Sequence, residues 1–122
     1  MRTYNYPNII TKNAVMRTNL TSKSMQLLNM IGYSVQIVVT GTPTGTFSLL
    51  GSDDPVESVG IDFKPTNFSV ISLSSYAIAA AGNFIWNVNE PMYNWVQLFY
   101  TDTSGGTSSA ILTVSTFNAK GF

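Results

Sequence analysis

The stretch Tyr33-Ser34-Val35-Gln36-Ile37-Val38-Val39-Thr40, then Gly41-Thr42-Pro43-Thr44-Gly45 and Thr46-Phe47-Ser48-Leu49-Leu50, decides the class of fold. Its first part alternates with period two. Tyr33, Val35, Ile37 and Val39 share one face, and Ser34, Gln36 and Thr40 share the other. Successive Cβ atoms of an extended chain point to opposite faces, so β-branched and aromatic residues on this period predict a half-buried strand. Two glycines and a proline within five residues break the pattern. It resumes at once, and the pair reads as a hairpin.

Working outward, Gly51-Ser52-Asp53-Asp54-Pro55 ends the second strand in a polar turn, and a weaker segment from Ile61 to Leu73 is interrupted by Pro65. Tyr76 to Ala80 reads as a short strand or a helical turn. Asn83 to Val88 places Phe84, Trp86 and Val88 on one side, whereas Asn94 to Thr101 is apolar on both faces, as expected of a covered central strand. Ser104-Gly105-Gly106 is a turn before a last strand, Ala110 to Phe117, and an additional strand is expected near Ser24 to Leu28. Helix-favouring runs are missing. Seven or eight short strands at this spacing predict an all-β chain, a two-layer antiparallel β-sandwich of jelly-roll or immunoglobulin type.

Before these strands lies the segment from Met1 to Lys23, with Arg2, Lys12, Arg17 and Lys23 but no acidic residue. Tyr4, Tyr6, Ile9, Ile10, Val15, Met16 and Leu20 make it too apolar for a solvating tail. It reads as an N-terminal arm, residues 1–23, attached to a sandwich domain, residues 24–122, and docking on a partner or a neighbouring subunit. On this reading, deleting the arm leaves the fold intact and abolishes assembly. Asp53, Asp54, Glu57 and Asp62 form an acidic cluster that would complement it.

Composition narrows the chemistry. Of 122 residues only 10% are charged, against about 25% in an ordinary domain, and six basic residues balance six acidic ones. Little charge repulsion keeps copies apart, which favours an assembled state. No basic stripe exists for nucleic acid. Cysteine and histidine are both absent. That removes disulfides, thiolate and imidazole catalysis, and the usual zinc and haem ligands. The N-terminus lacks a signal-peptide pattern and no apolar run is long enough to span a bilayer, so a cytoplasmic origin without membrane insertion is expected.

Two segments resemble small virion proteins of tailed bacteriophages: Gly32 to Asp54, with its hydrophobic strand and Gly-Thr-Pro-Thr-Gly-Thr turn, and Ala81 to Thr107, with its aromatic strands and Thr-Ser-Gly turn. The likeness extends over about Ser24 to Gly121. It implies a capsid-surface, decoration or tail-associated protein, built into particles in the bacterial cytoplasm, with no catalytic residues and no cofactor. It also implies a homo-oligomer, of which a trimer would suit a three-fold lattice site.

Three candidate sites remain. The acidic cluster Asp53, Asp54, Glu57 and Asp62 has the ligand type for calcium, although its spacing is not that of an EF-hand, and a solvated turn explains it as well. The same acids have the functional groups of a glycosidase pair, but a chain this short offers no evident cleft. Trp86, Trp95, Tyr93, Phe99 and Tyr100 have the flat faces that stack on sugars. Trp86 is expected in the core, and Tyr93 with Trp95 at the surface, where they would serve a carbohydrate-binding module or host-surface adhesin.

Overall fold

In a computed structural model, which describes residues 4–55 and 65–121, the chain is all-β. Ten strands are formed among the described residues: β1 Tyr4–Val15, β2 Leu20–Thr21, β3 Met25–Gln26, β4 Met30–Thr40, β5 Gly45–Ser52, β6 Ser69–Val70, β7 Tyr76–Ile78, β8 Gly82–Asn89, β9 Trp95–Asp102 and β10 Ile111–Gly121. They make two antiparallel sheets. The first runs β1-β10-β4-β8, and in the second β9 and β5 lie side by side, with β2 and β3 against β9 and β6 and β7 against β5.

Counting β2 with β3 and β6 with β7, each pair filling one position, the sandwich has four positions per sheet. The chain crosses between sheets at almost every connection, and the last strand lies between the first and the fourth. This order is that of a jelly roll and not of an immunoglobulin domain. The core lies between the layers. Tyr33, Val35, Ile37 and Val39 of β4 face Phe47 and Leu49 of β5 and Val96, Leu98 and Tyr100 of β9, all buried. The two-residue period read from β4 is therefore its burial pattern.

One expectation is corrected. The turn Gly41 to Gly45 is not a hairpin loop, because β4 is flanked by β10 and β8 and has no free side to offer β5. The turn is instead an arch that carries the chain to the other layer. Gly41 supplies a left-handed backbone, with φ of 87°. Pro43 is buried between the layers, and the N–H of Thr103 donates to Thr44 O at 3.0 Å.

Residues 4–15 are the outer strand β1, paired antiparallel with β10 from Tyr4 opposite Gly121 to Val15 opposite Ile111. Ile10 within it and Met16 just after it are core residues, and the Ser22 Oγ accepts a hydrogen bond from the Leu98 N–H at 2.9 Å. The segment is structurally part of the sandwich. A division at residue 23 is not followed by the strand pairing.

Tyr100 has a fully buried hydroxyl with no hydrogen-bond partner among the described residues. It occupies the space that a side chain at Gly45 would need, since a Cβ there would meet the Tyr100 ring at 2.6 Å and the Thr101 carbonyl closer still. A buried unpaired hydroxyl costs about 1–3 kcal/mol in desolvation. Tyr100→Phe is therefore expected to leave stability unchanged or raise it by about 1 kcal/mol, measured by urea denaturation; a loss of that size would show that the hydroxyl is paired.

Candidate functional site

Of the residues singled out, Asp53 and Asp54 lie beside Tyr93 and Trp95 at the end of the sandwich where β5 runs out. Asp54 follows the turn Ser52-Asp53, and its N–H donates to Ser52 Oγ at 3.1 Å. Its carboxylate accepts three hydrogen bonds. Oδ2 accepts the N–H groups of Thr66 at 2.8 Å and Asn67 at 3.1 Å, and Oδ1 accepts Asn67 Nδ2 at 2.9 Å. These bonds hold residue 54 against residues 66–67.

The same turn is stitched to the start of β9. Asn94 Nδ2 donates to the carbonyl oxygens of Asp53 and Asp54 at 3.1 and 3.0 Å, Trp95 Nε1 donates to Asp54 O at 3.1 Å, and the Asn94 N–H donates to Ser52 O at 2.9 Å. Tyr93 is half-buried. Its hydroxyl is 2.6 Å from that of Tyr33, whose ring stacks on Phe117 inside the core. Burial raises the pKa of both phenols, Tyr33 far above its ordinary value. The pair is therefore neutral and acts as a strut between the loop and β4.

Beside these residues lies an open cleft of about 580 Å³, lined by Asp53, Asp54, Asn67, Val70, Ile71 and Tyr93 among others. The bonds from the Asn67 side chain and from the N–H groups of Thr66 and Asn67 hold the Asp54 carboxyl below the usual carboxylate range. A carboxylate held ionised by such donors is a poor proton acceptor and donor at neutral pH. Among the described residues no group of three or more acidic side chains is placed to hold a metal ion. Glu57 and Asp62 lie outside the described residues, as does Arg2.

Because the folded-state pKa of Asp54 lies below the unfolded value of about 3.9, its contribution to stability is complete above that value and is lost as pH falls through the folded value. Acid melts of the wild type and Asp54→Asn are expected to differ at neutral pH and to converge at the acid end. A constant difference across the range would dismiss the carboxylate clasp.

The other sequence candidates lie elsewhere. Trp86 is a core residue, as expected, with Nε1 donating to Ser74 O at 2.7 Å and its ring edge-on to Phe84. Tyr4, Tyr6, Ile9, Ile10 and Lys12 are on β1, and Arg17 follows it; Ile9, Lys12 and Arg17 are exposed while Ile10 is buried. Lys23 Nζ donates to Asn8 Oδ1 at 3.1 Å. Sequence reasoning missed Asn67, Asn94 and Tyr33 as partners in the clasp. Their pairing spans 13, 40 and 60 residues, and no local motif encodes it.

No protein-family model matches the chain, and no curated protein sequence matches it. Solved structures do share its fold. Bacillus endospore appendages, disulfide-linked pili, align with a TM-score of 0.52 at 9% identity, over 98% of this chain and 87% of that one. The SPBc2 prophage-derived protein YomS aligns with a TM-score of 0.52 at 8% identity, over 99% and 95%. The Tobacco streak virus coat protein, a dimer, aligns with a TM-score of 0.50 at 6% identity, over 98% and 85%. At these identities the likeness is one of fold.

Proposed function

We propose that this chain is a non-enzymatic structural protein of a bacteriophage virion, a capsid decoration or auxiliary protein that binds neighbouring subunits and stabilises the particle. Fold alone does not fix function. The observation that carries the reading is the state of the polar side chains at the candidate site. Asp54, Asn94, Trp95 and Tyr93 are spent holding loops together, so what the molecule offers is surface. That surface belongs to a chain with zero net charge, on a fold shared with a viral coat protein and a prophage protein.

On this reading the partners are copies of the chain and a major capsid protein or tail component, met in the bacterial cytoplasm during assembly. A trimer, formed by contact between two different surfaces of each copy, would suit a three-fold site on a capsid lattice. The test is to purify particles from a host carrying a tagged gene. Tagged protein at fixed stoichiometry in gradient-purified particles, with loss of particle heat resistance when the gene is deleted, is the expected result. Its absence from particles would refute the reading.

The cleft favours one rival, a carbohydrate-binding adhesin, because Val70, Ile71 and Tyr93 line it beside Asn67 and such a mixture of apolar and amide groups suits a sugar. Trp95 is hydrogen-bonded to the same turn. Saturable quenching of tryptophan fluorescence by host polysaccharide, abolished in Tyr93→Ala, would favour the adhesin over the capsid role.

A further inference from the structure

The four sheet margins differ in how well they are closed to other strands. In the second sheet the marginal strands β2, β3 and β6 have two residues each and β7 has three. Strands this short present few backbone groups. The β1 margin of the first sheet is long but carries Pro7 and Lys12, has a register shift between Ile9 and Thr11, and turns left-handed at Asn13, with φ of 52°. Short strands, proline, lysine and bulges are the devices that keep a margin from pairing.

The β8 margin has none of them. Gly82–Asn89 is eight residues without a charge or a proline. The Glu90 N–H donates to Ile31 O at 2.9 Å. In step with that bond, the pairs Val88 with Tyr33, Trp86 with Val35 and Phe84 with Ile37 exchange hydrogen bonds with β4. Asn83, Ile85, Asn87 and Asn89, lying between, direct their N–H and C=O groups outward. All four are exposed, Ile85 by 54%. Among the described residues no loop segment bonds to those groups.

A row of outward backbone donors and acceptors selects an extended strand as its occupant. The uncharged strand, in a chain of zero net charge, puts no repulsion in the way of a second copy. We propose that β8 pairs antiparallel with β8 of a second copy across a two-fold axis, joining two four-stranded sheets into one continuous sheet. The register that pairs all four outward residues sets Asn83 opposite the second copy's Asn89 and Ile85 opposite its Asn87, with about eight hydrogen bonds. This deepens the virion reading by naming a contact through which copies meet.

The test is the solution mass of the full chain by light scattering after gel filtration. Ile85 and Asn87 lie opposite Gln36 and Ser34 of β4, so new charges there face uncharged side chains on that strand. Wild type is expected at twice the 13.3 kDa chain mass. I85K/N87K, which sets lysine opposite lysine, is expected to be monomeric, and I85K/N87D, which sets lysine opposite aspartate, to be dimeric again. The last variant controls for folding. A monomeric wild type, or an I85K/N87K chain that stays dimeric, overturns the proposal. Presence in particles is measured separately, so the virion reading stands or falls apart from this contact.

Discussion

Removing residues 1–23 is expected to abolish cooperative folding. The deletion strips β1 from β10 along its length and takes Ile10 and Met16 out of the core, where they are 8% and 0% exposed. Burying each such side chain contributes about 1.5–3 kcal/mol, and the unpaired face of β10 adds to the loss. A domain of this kind has only about 5–15 kcal/mol in total. The expected result is a truncated chain without a cooperative thermal transition or near-ultraviolet circular dichroism. The sequence-based expectation of a detachable arm is, instead, an intact fold. A residue 24–122 chain that melts within a few degrees of wild type would restore the arm.

Phe47→Ala is expected to have the next largest effect. The ring is fully buried on β5, with its centroid 4.7 Å from that of Tyr100 and 6.3 Å from that of Trp86. Trp86 is held by its bond to Ser74 O, so it cannot collapse into the space. Deleting a buried phenyl costs about 3–5 kcal/mol, and near 4 kcal/mol this lowers Tm by roughly 15 °C for a domain of 122 residues. Calorimetry decides it. A shift of only a few degrees would mean that the layers are not packed across Phe47.

The legible parts of the sequence were those in which burial follows a strict period of two. β4 and β8 are of this kind, and each was placed with its inward face correctly assigned from residue types alone. β1 was not, and the reason lies at Ile9 and Ile10. The register shift between Ile9 and Thr11 interrupts the pairing, and exposed Ile9 and Val15 stand beside buried Ile10 and Met16, so the apolar residues of the segment do not mark one face and it reads as a docking arm. The arch at Gly41 to Gly45 failed for a different reason. Glycine and proline report that the chain turns, but whether it turns within a sheet or between sheets depends on β8 and β10, more than 40 residues away, occupying both sides of β4.

At the candidate site, residue types predicted where Trp86 and Tyr93 would lie better than what their polar atoms would do. Asp54 had the composition of a metal or catalytic acid and is a loop clasp. The difference is made by Thr66 and Asn67, 12 and 13 residues away in the chain, whose approach no local spacing encodes. The open margin of β8 was also hidden, because its amphipathic pattern is the same whether one side of the strand is paired or both.

Amide exchange along β8, read residue by residue by NMR at low and high protein concentration, addresses the self-association on which this account rests. At low concentration, the amides of Phe84, Trp86 and Val88 should be protected by β4 while those of Asn83, Ile85, Asn87 and Asn89 exchange freely. At high concentration the second set should become protected as well. If those amides exchange equally fast at every concentration, copies of this protein do not join through the sheet, and the account is contradicted.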